Sequence, residues 1–373
     1  MSEPADAPLI ATPLDALHRE FGARMVPFAG HSLPVQYPAG IIAEHNHTRE
    51  KASLFDVSHM GQVVLTGADA VQRLERLVPG NVAGLAEGRI RYTMLTKPDG
   101  GIIDDLMVGN GGDHLRLVVN GARAQVDLAH LQAELGDGVT IDYRKERTLM
   151  ALQGPAAAAV LASLAPEAAG MVFMSFKDLE INGIPVGVSR CGYTGEDGFE
   201  ISTAPDDAEA VARALLAHGD VEPAGLGSRD SLRLEAGLCL YGQDITEETT
   251  PIEAGLRWTI TKARLAEGGF LGADVIRDQA ENGAARKLVG LTPEGRQPAR
   301  PGTQILDADG SEIGTVTSGG FGASVGGPVA LGYVPTDLSE PGTQLTLQIR
   351  KSQVPAQVTA LPFVAHRYFK PSA

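Results

Sequence analysis

The sequence predicts an α+β chain that closes with a separate antiparallel β-barrel, and three observations carry that reading. Its 373 residues exceed what one compact core commonly organises, so two or three lobes are expected. Through roughly the first 280 residues, helical and strand-like segments are interleaved with hairpin turns. Near residue 283 the pattern changes. From there short β-rich segments at 287–291, 313–317, 329–334, 344–350 and 357–361 are separated by turns such as Asp307-Ala-Asp-Gly310, with little helical signal.

The elements follow in order. Residues 12–22 read as the first helix: Thr12 caps it, Pro13 suits its first position, and Leu14, Leu17 and Phe21 share one face before Gly22. Residues 40–52 read as a second helix and 62–66 as a strand, followed by a helix carrying Val71, Leu74 and Val78. A hairpin comes next, with strands at 91–96 and 102–108 around Lys97-Pro-Asp-Gly-Gly101. A strand at 114–120 and a helix at 122–135 continue the pattern. Pro155 opens an Ala-rich helix, and Asn182-Gly183 forms the tight turn of a hairpin over 179–186. Helices at 205–217 and 227–236 complete this part. The Gly- and Ser-rich stretch 318–327 reads as a flexible loop, without the GxGxxG spacing or strand-to-helix context of a nucleotide site.

Composition narrows the function. A hydrophobic fraction of 43% supports a sizeable core, and no apolar run reaches the 18 or so residues of a membrane span. Lys and Arg number 31 against 46 Asp and Glu, a net charge of −15, which argues against a nucleic-acid partner while leaving room for a pocket that takes one small anion. The N-terminal Met1-Ser-Glu-Pro-Ala-Asp6 is acidic and polar, unlike a secretory or transit segment, so a cytoplasmic location is expected. Cys191 and Cys239 belong to no CxxC and are expected as buried free thiols.

Several residues could carry chemistry. Asp104 and Asp105 interrupt the apolar strand Ile102-Ile-Asp-Asp-Leu-Met-Val108. Simple alternation puts Ile102, Asp104, Leu106 and Val108 on one face and Ile103, Asp105 and Met107 on the other, so the carboxylates are not expected to act as a pair. Burying either requires donors, which backbone caps or a functional site would supply. Gly192-Tyr-Thr-Gly-Glu-Asp-Gly198 is either a plain turn or a loop presenting an aromatic and two carboxylates. Arg229 and Arg233 sit four apart on a helix with Asp230 and Glu235 nearby, which fits a solvated charged face as well as a pocket. His45 and His47 diverge on their helix, with no third ligand in view, so no metal site is expected. His59 has the type of a general base but lacks a nucleophile context. Trp258 and Tyr241 would stack on a flat ring or fill a core.

The motifs nevertheless occur in an order that resembles the T-protein (aminomethyltransferase) family of the glycine cleavage system. They are Gly22-Ala-Arg-Met-Val-Pro-Phe-Ala-Gly30, Leu54-Phe-Asp-Val-Ser-His-Met-Gly61, Gly100-Gly-Ile-Ile-Asp-Asp-Leu106, Leu117-Val-Val-Asn120, Gln153-Gly-Pro155, Gly192-Tyr-Thr-Gly-Glu-Asp-Gly198 and Arg229-Asp-Ser-Leu-Arg-Leu-Glu-Ala-Gly237. Leu240-Tyr-Gly242, Lys287-Leu-Val-Gly290 and Thr317-Ser-Gly319 follow, so the resemblance spans residues 10 to 370.

It implies a three-lobed ring: a discontinuous folate-binding α+β lobe (1–52 plus 140–282), a second α+β lobe (53–139) carrying the Asp-Asp hairpin, and a C-terminal antiparallel β-barrel (283–373). It implies transfer of a methylene group from the aminomethyl-lipoyl arm of H-protein to tetrahydrofolate. The family's reactive carboxylate falls on Asp104, and its folate-contacting positions fall on Met60, Tyr92, Val119, Tyr193, Glu196, Arg229, Tyr241, Trp258 and Tyr368. Expected partners are lipoylated H-protein and a small folate, with no nucleic acid and no membrane. Two readings on the same fold stay open: a folate-dependent S- or O-demethylase, and a non-enzymatic folate-binding iron–sulfur assembly factor. The latter carries a Lys-Gly-Cys-Tyr-x-Gly-Gln signature, whose cysteine and glutamine are replaced here by Gly192 and Glu196.

Overall fold

A computed structural model describes residues 8–370. The acidic stretch on which the cytoplasmic expectation rests lies outside the described residues. The first lobe is a six-stranded sheet in the order Ser175–Ile181, Ile184–Arg190, Gly198–Thr203, Thr148–Gln153, Ala52–Asp56, Val221–Ala224, antiparallel except for the last pair. Period-two alternation sends Phe199 and Ile201 to one face, where with Leu54, Met150 and Leu152 they pack in the same core as Val160 and Val211 of the helices Ala157–Leu164 and Ala208–Leu216. Full burial of each large side chain contributes about 1.5–3 kcal/mol.

The second lobe is a five-stranded antiparallel sheet ordered Ile90–Thr96, Ile102–Asn110, His114–Val119, Gly61–Thr66, Thr140–Tyr143. One face, with Val63, Leu65, Leu106, Val108, Leu115 and Leu117, is closed by the helices Ala70–Glu75 and Ala124–Leu135. The expected boundaries at 53 and 139 shift: Ala52–Asp56 belongs to the first sheet, and Thr140–Tyr143 pairs with Gly61–Thr66 in the second.

The third lobe is a closed barrel, Arg286–Pro293, Gly327–Pro335, Glu312–Gly322, Gln304–Leu306, Gln344–Ile349, Ser352–Thr359. Gln304–Leu306 is a sixth strand, at three residues too short to show a period. The stretch expected as a flexible loop instead ends one strand and begins the next, with Gly319 opposite Ala330. Gly319 is required there, because a Cβ would lie 2.5 Å from the carbonyl oxygen of Ala299.

The first helix spans only Asp15–Glu20. Thr12 does not cap it; its hydroxyl donates to Asp56 Oδ2 at 2.7 Å, beside His18 Nε2 at 2.8 Å. A tertiary carboxylate outcompetes the local cap. The lobes meet at an apolar cluster joining Met94 and Ile102 of the second sheet to Cys239, Ile245 and Leu256, with Leu288 of the barrel packed against it. Arg233, on the helix Leu226–Glu235, bolts the barrel on: it donates to Asp244 Oδ2 (2.6 Å) and Ser318 Oγ (2.8 Å). Cys191 and Cys239 are buried free thiols. No helix among the described residues is long and apolar enough to cross a membrane.

Candidate active site

The faces of the two sheets that turn away from their helices oppose each other. Between them lies a cavity of about 390 Å³ whose walls include Met107, Val118, Leu149, Cys191 and Glu200. Along the Asp-Asp strand simple alternation holds from Asp104 onward, with Asp104, Leu106 and Val108 on the core face and Asp105 and Met107 on the other, and fails only at the strand start. A β-bulge between Leu95 and Thr96 leaves Ile103 without a direct partner, so Asp104 lies opposite Leu95 and Asp105 opposite Met94. Ile103 and Leu106 consequently pack in the helix-covered core, while Ile102 joins Met94 on the other side.

The opposite faces expected for the two aspartates are found, but the reactive role that the resemblance placed on Asp104 is corrected. Asp104, expected as the reactive carboxylate, is fully buried on the core side and in hydrogen-bond contact with Asp127 of the helix Ala124–Leu135. Asp105 is the partly exposed one; its Oδ2 accepts from the Tyr92 hydroxyl at 3.0 Å, with Tyr193 and Cys239 near that pair. The two are nevertheless linked. The Asn120 side-chain amide donates to Asp104 Oδ1 (2.9 Å) and Asp105 Oδ1 (2.7 Å), and the Asn120 backbone N–H to Asp104 Oδ2 (3.0 Å). Burial raises Asp105 above the usual carboxylate range, and the hydrogen bonds from Tyr92 and Asn120 restrain the rise.

Arg229 does not line this cavity; it lies next to Glu200 and Cys191, which do. Its guanidinium lies 5.1 Å from the Tyr193 ring centroid, and its buried Nη1 has no hydrogen-bond partner among the described residues. Burial lowers its pKa, opposed first by the charge of Glu200. Asp230 and Glu235 do not pair with it: Asp230 accepts from Arg233 at 2.9 Å, and Glu235 from Arg49 at 3.1 Å. The loop holding Tyr193 needs its glycines. A Cβ on Gly192 would sit 1.9 Å from Gln153 Oε1, and Gly195 adopts φ +79°.

Glu196, expected to meet folate, is corrected as well. It is 1% exposed, and its Oε1 accepts from Arg49 Nη1 (2.7 Å) and from Arg367 Nη2 (2.6 Å) and Nε (3.1 Å). The carboxylate open to the cleft is Glu200, with the Cys191 thiol 3.5 Å from Oε2. Sequence reasoning passed over it, although alternation in Gly198–Thr203 buries Phe199 and Ile201 and turns Glu200 and Ser202 outward. Val119 is corrected too: its side chain is fully buried in the second core, and Val118 lines the cavity instead.

The remaining expected residues fall around the same region. Trp258 is 69% exposed and stacks on Tyr92, with centroids 5.9 Å apart and planes 16° apart. The Tyr241 hydroxyl donates to the Ile102 carbonyl at 3.0 Å, beneath the Arg123 guanidinium. Met60 is partly buried beside Val118. Tyr368 stacks on Phe173 at 4.1 Å and lies near Cys191 and Glu196. His59 packs edge-on to Phe28 at 5.2 Å; burial and the Arg229 charge push it down to about 3, so it is neutral at physiological pH. No metal-binding cluster occurs among the described residues.

Beside the Glu200 end of the cavity the fold therefore gathers an unpaired guanidinium, a carboxylate that lines the cavity, aromatic faces and a second carboxylate of raised pKa. That set suits a flat heterocycle with a donor-rich edge and an acceptor.

Known proteins are similar to this chain in sequence and fold. Residues 14–264 match the model of the GCVT N-terminal domain, and residues 286–365 that of the glycine cleavage T-protein C-terminal barrel domain. The chain is 49% identical over 367 residues to the mitochondrial aminomethyltransferase of Gallus gallus, covering 96% of this chain and 93% of that protein. It is 46% identical over 377 residues to the mitochondrial aminomethyltransferase of Solanum tuberosum, covering 98% and 93%. The crystal structure of glycine cleavage system aminomethyltransferase T from Bartonella henselae superposes with a TM-score of 0.92 at 43% identity, covering 97% of this chain and all of that one.

Proposed function

The chain belongs to the glycine cleavage T-protein family of aminomethyltransferases, and we propose that Asp105, Arg229 and Glu200 are the residues with which it passes a methylene group to tetrahydrofolate. The reaction takes the carbon from the aminomethyl-lipoyl arm of H-protein and yields 5,10-methylenetetrahydrofolate, ammonia and dihydrolipoyl H-protein. The single observation that carries the assignment is the unpartnered, buried Nη1 of Arg229 facing Tyr193 and Glu200. Leaving a buried donor unpaired costs about 1–3 kcal/mol, which a bound acceptor would recover.

Ammonia departs as a folate amine attacks the carbon that bears both sulfur and nitrogen, so positive charge develops at the carbon and a proton must reach the leaving amine. A carboxylate stabilises the first, and a carboxyl of raised pKa supplies the second. Asp105 is a partly exposed carboxyl whose pKa burial raises. Glu200 suits the donor-rich edge of a pterin, and Arg229 suits a carbonyl or carboxylate of the same molecule. Trp258 and Tyr92 offer a stacked aromatic face beside Asp105. Holding two large substrates in line supplies much of the remaining acceleration.

The acidic surface implied by a charge of −15 is compatible with an H-protein partner that delivers only a lipoyl arm. A cytoplasmic location remains the reading of the acidic N-terminal sequence, whereas the two relatives above are mitochondrial proteins; cell fractionation decides it. The test of function is a tetrahydrofolate-dependent assay of ammonia release from aminomethylated H-protein, with methylated sulfur and oxygen donors in parallel. Ammonia release with H-protein alone is expected. Methyl transfer from the other donors without ammonia release would overturn the reading.

A further inference from the structure

Behind Asp105 lies a second acidic pair with no role in binding. Asp104 and Asp127 are both fully buried and touch through their carboxyl groups. Neither oxygen of Asp127 receives a hydrogen bond from any donor among the described residues. Two ionised carboxylates in that contact would repel, with water excluded from both. One proton between them removes the conflict and supplies the missing donor. We infer that Asp104 and Asp127 share one proton, and that this proton fixes Asp104 so that Asn120 can hold the Asp105 carboxylate in place.

The groups around the pair fix where the proton sits. Asp127 lies in the first turn of its helix, where the backbone dipole favours a negative charge, and the Arg123 charge acts on it. Asp104 faces Tyr241, the charge of Asp105 and both hydrogen bonds from Asn120. Arg123 is itself drawn to Glu247 (2.7 Å) and to the carbonyl of Ile103 (3.0 Å), so it only partly offsets the pair. On the far side Asp105 meets Tyr92, with Tyr193 and Cys239 beyond. The proton therefore resides on Asp104, whose O–H donates to Asp127, and burial together with Asp127 and Asp105 raises the Asp104 pKa. Asp104 and Asp127 are positioning residues: they act on the reaction through Asn120 and Asp105.

Loss of the shared proton at alkaline pH leaves three neighbouring anionic carboxylates, two of them joined through the Asn120 amide, and Asp105 moves. The sign follows from the raised pKa of the pair. Its favourable contribution is complete below the ordinary carboxylate range and is lost as pH rises through the raised value.

The inference rests on Asp105 being the reacting carboxylate, and the experiment separates the two. Turnover, folate affinity and Tm of the full-length protein are followed between pH 6 and 10.5 for wild type, Asp127→Asn and Asp104→Asn. Either amide donates to the remaining carboxylate without a titrating proton. Wild-type turnover and Tm are expected to fall on the alkaline side. In both variants that fall should vanish or move up by at least one pH unit, with folate affinity within twofold of wild type. If one variant does not fold, the other reports alone. An alkaline fall at the wild-type position in a folded variant overturns the shared proton, as does a loss of folate affinity in step with the loss of turnover. Asp105→Asn, run alongside, tests the underlying reading separately: undiminished turnover there sinks the role of Asp105 and leaves the Tm profiles to decide on the pair.

Discussion

Two charged clusters flank the Gly192–Gly198 loop, and they are built on opposite terms. Around Glu196 each charged side chain has an ionic partner, although Glu196 Oε2 accepts and Arg49 Nε donates no hydrogen bond among the described residues. Glu196 holds Arg49 and Arg367, Arg49 also reaches Glu235 at 3.1 Å, and Glu235 takes His45 Nε2 at 3.1 Å and the Ser324 N–H at 2.8 Å. This cluster joins the helix Ile41–Glu50, the helix Leu226–Glu235, a barrel turn and the C-terminal segment. Around Arg229 the charges are left short: a bare Nη1, an open Glu200, and a carboxylate, Asp105, of raised pKa. A buried charge that already has its ionic partner has less to offer a ligand than one of the same residue type, such as Arg229, that has none among the described residues. Residue type alone does not distinguish them; partner count does.

The contrast can be broken in both directions. The largest expected effect is on the ion-paired side. Glu196→Ala leaves Arg49 and Arg367 without their shared acceptor and should cost about 3–5 kcal/mol of stability. Calorimetric unfolding should show this while the folate dissociation constant, from titration with 5-formyl-tetrahydrofolate, stays within twofold. A large loss of folate affinity at unchanged Tm would return Glu196 to the site.

Next comes the reacting group. Asp105→Asn should lower kcat by about 10²–10³, equivalent to roughly 2.7–4 kcal/mol, by analogy with loss of one charge-stabilising contact. Steady-state ammonia release measures it, and folate affinity should be nearly unchanged.

A pH measurement sharpens the ion-paired cluster further. Burial pushes Glu235 up, but the hydrogen bond and charge of His45, with Ser324, hold it down to about 2. A depressed carboxylate contributes stability that is present above its unfolded value and is lost as pH falls through the folded one. Tm should therefore drop between pH 4.5 and 2, by an amount equivalent to about 3 kcal/mol. Glu235→Gln should flatten that acid limb; an unchanged limb would assign it to other carboxylates.

The smallest effect belongs to the open side. Arg229→Lys replaces a planar fork of donors by a point charge and should weaken folate by up to about a hundredfold, from a contact of about 1.5–3 kcal/mol. The expected signature is a raised Michaelis constant with kcat nearly intact. Affinity and Michaelis constant both within twofold of wild type would show that the bare guanidinium is not a ligand-binding group.

By itself the sequence determined the α+β class, the hairpin carrying the two aspartates, the Asn182-Gly183 turn and the C-terminal barrel, because those depend on local periodicity and turn chemistry. It also marked Tyr92, Tyr193, Arg229, Tyr241 and Trp258, which the fold gathers about one region. Tertiary structure alone decided which carboxylates are free. The bulge at Ile103 reverses the expected faces of Ile102 and Ile103 alone, and alternation places Asp104 and Asp105 on opposite faces without saying which face a helix covers. Glu196 and Glu200 are four residues apart in one segment, and only Arg49 and Arg367, 147 and 171 positions away, show that the first is already ion-paired. Charge pairing over such distances depends on where the chain returns, which periodicity does not encode.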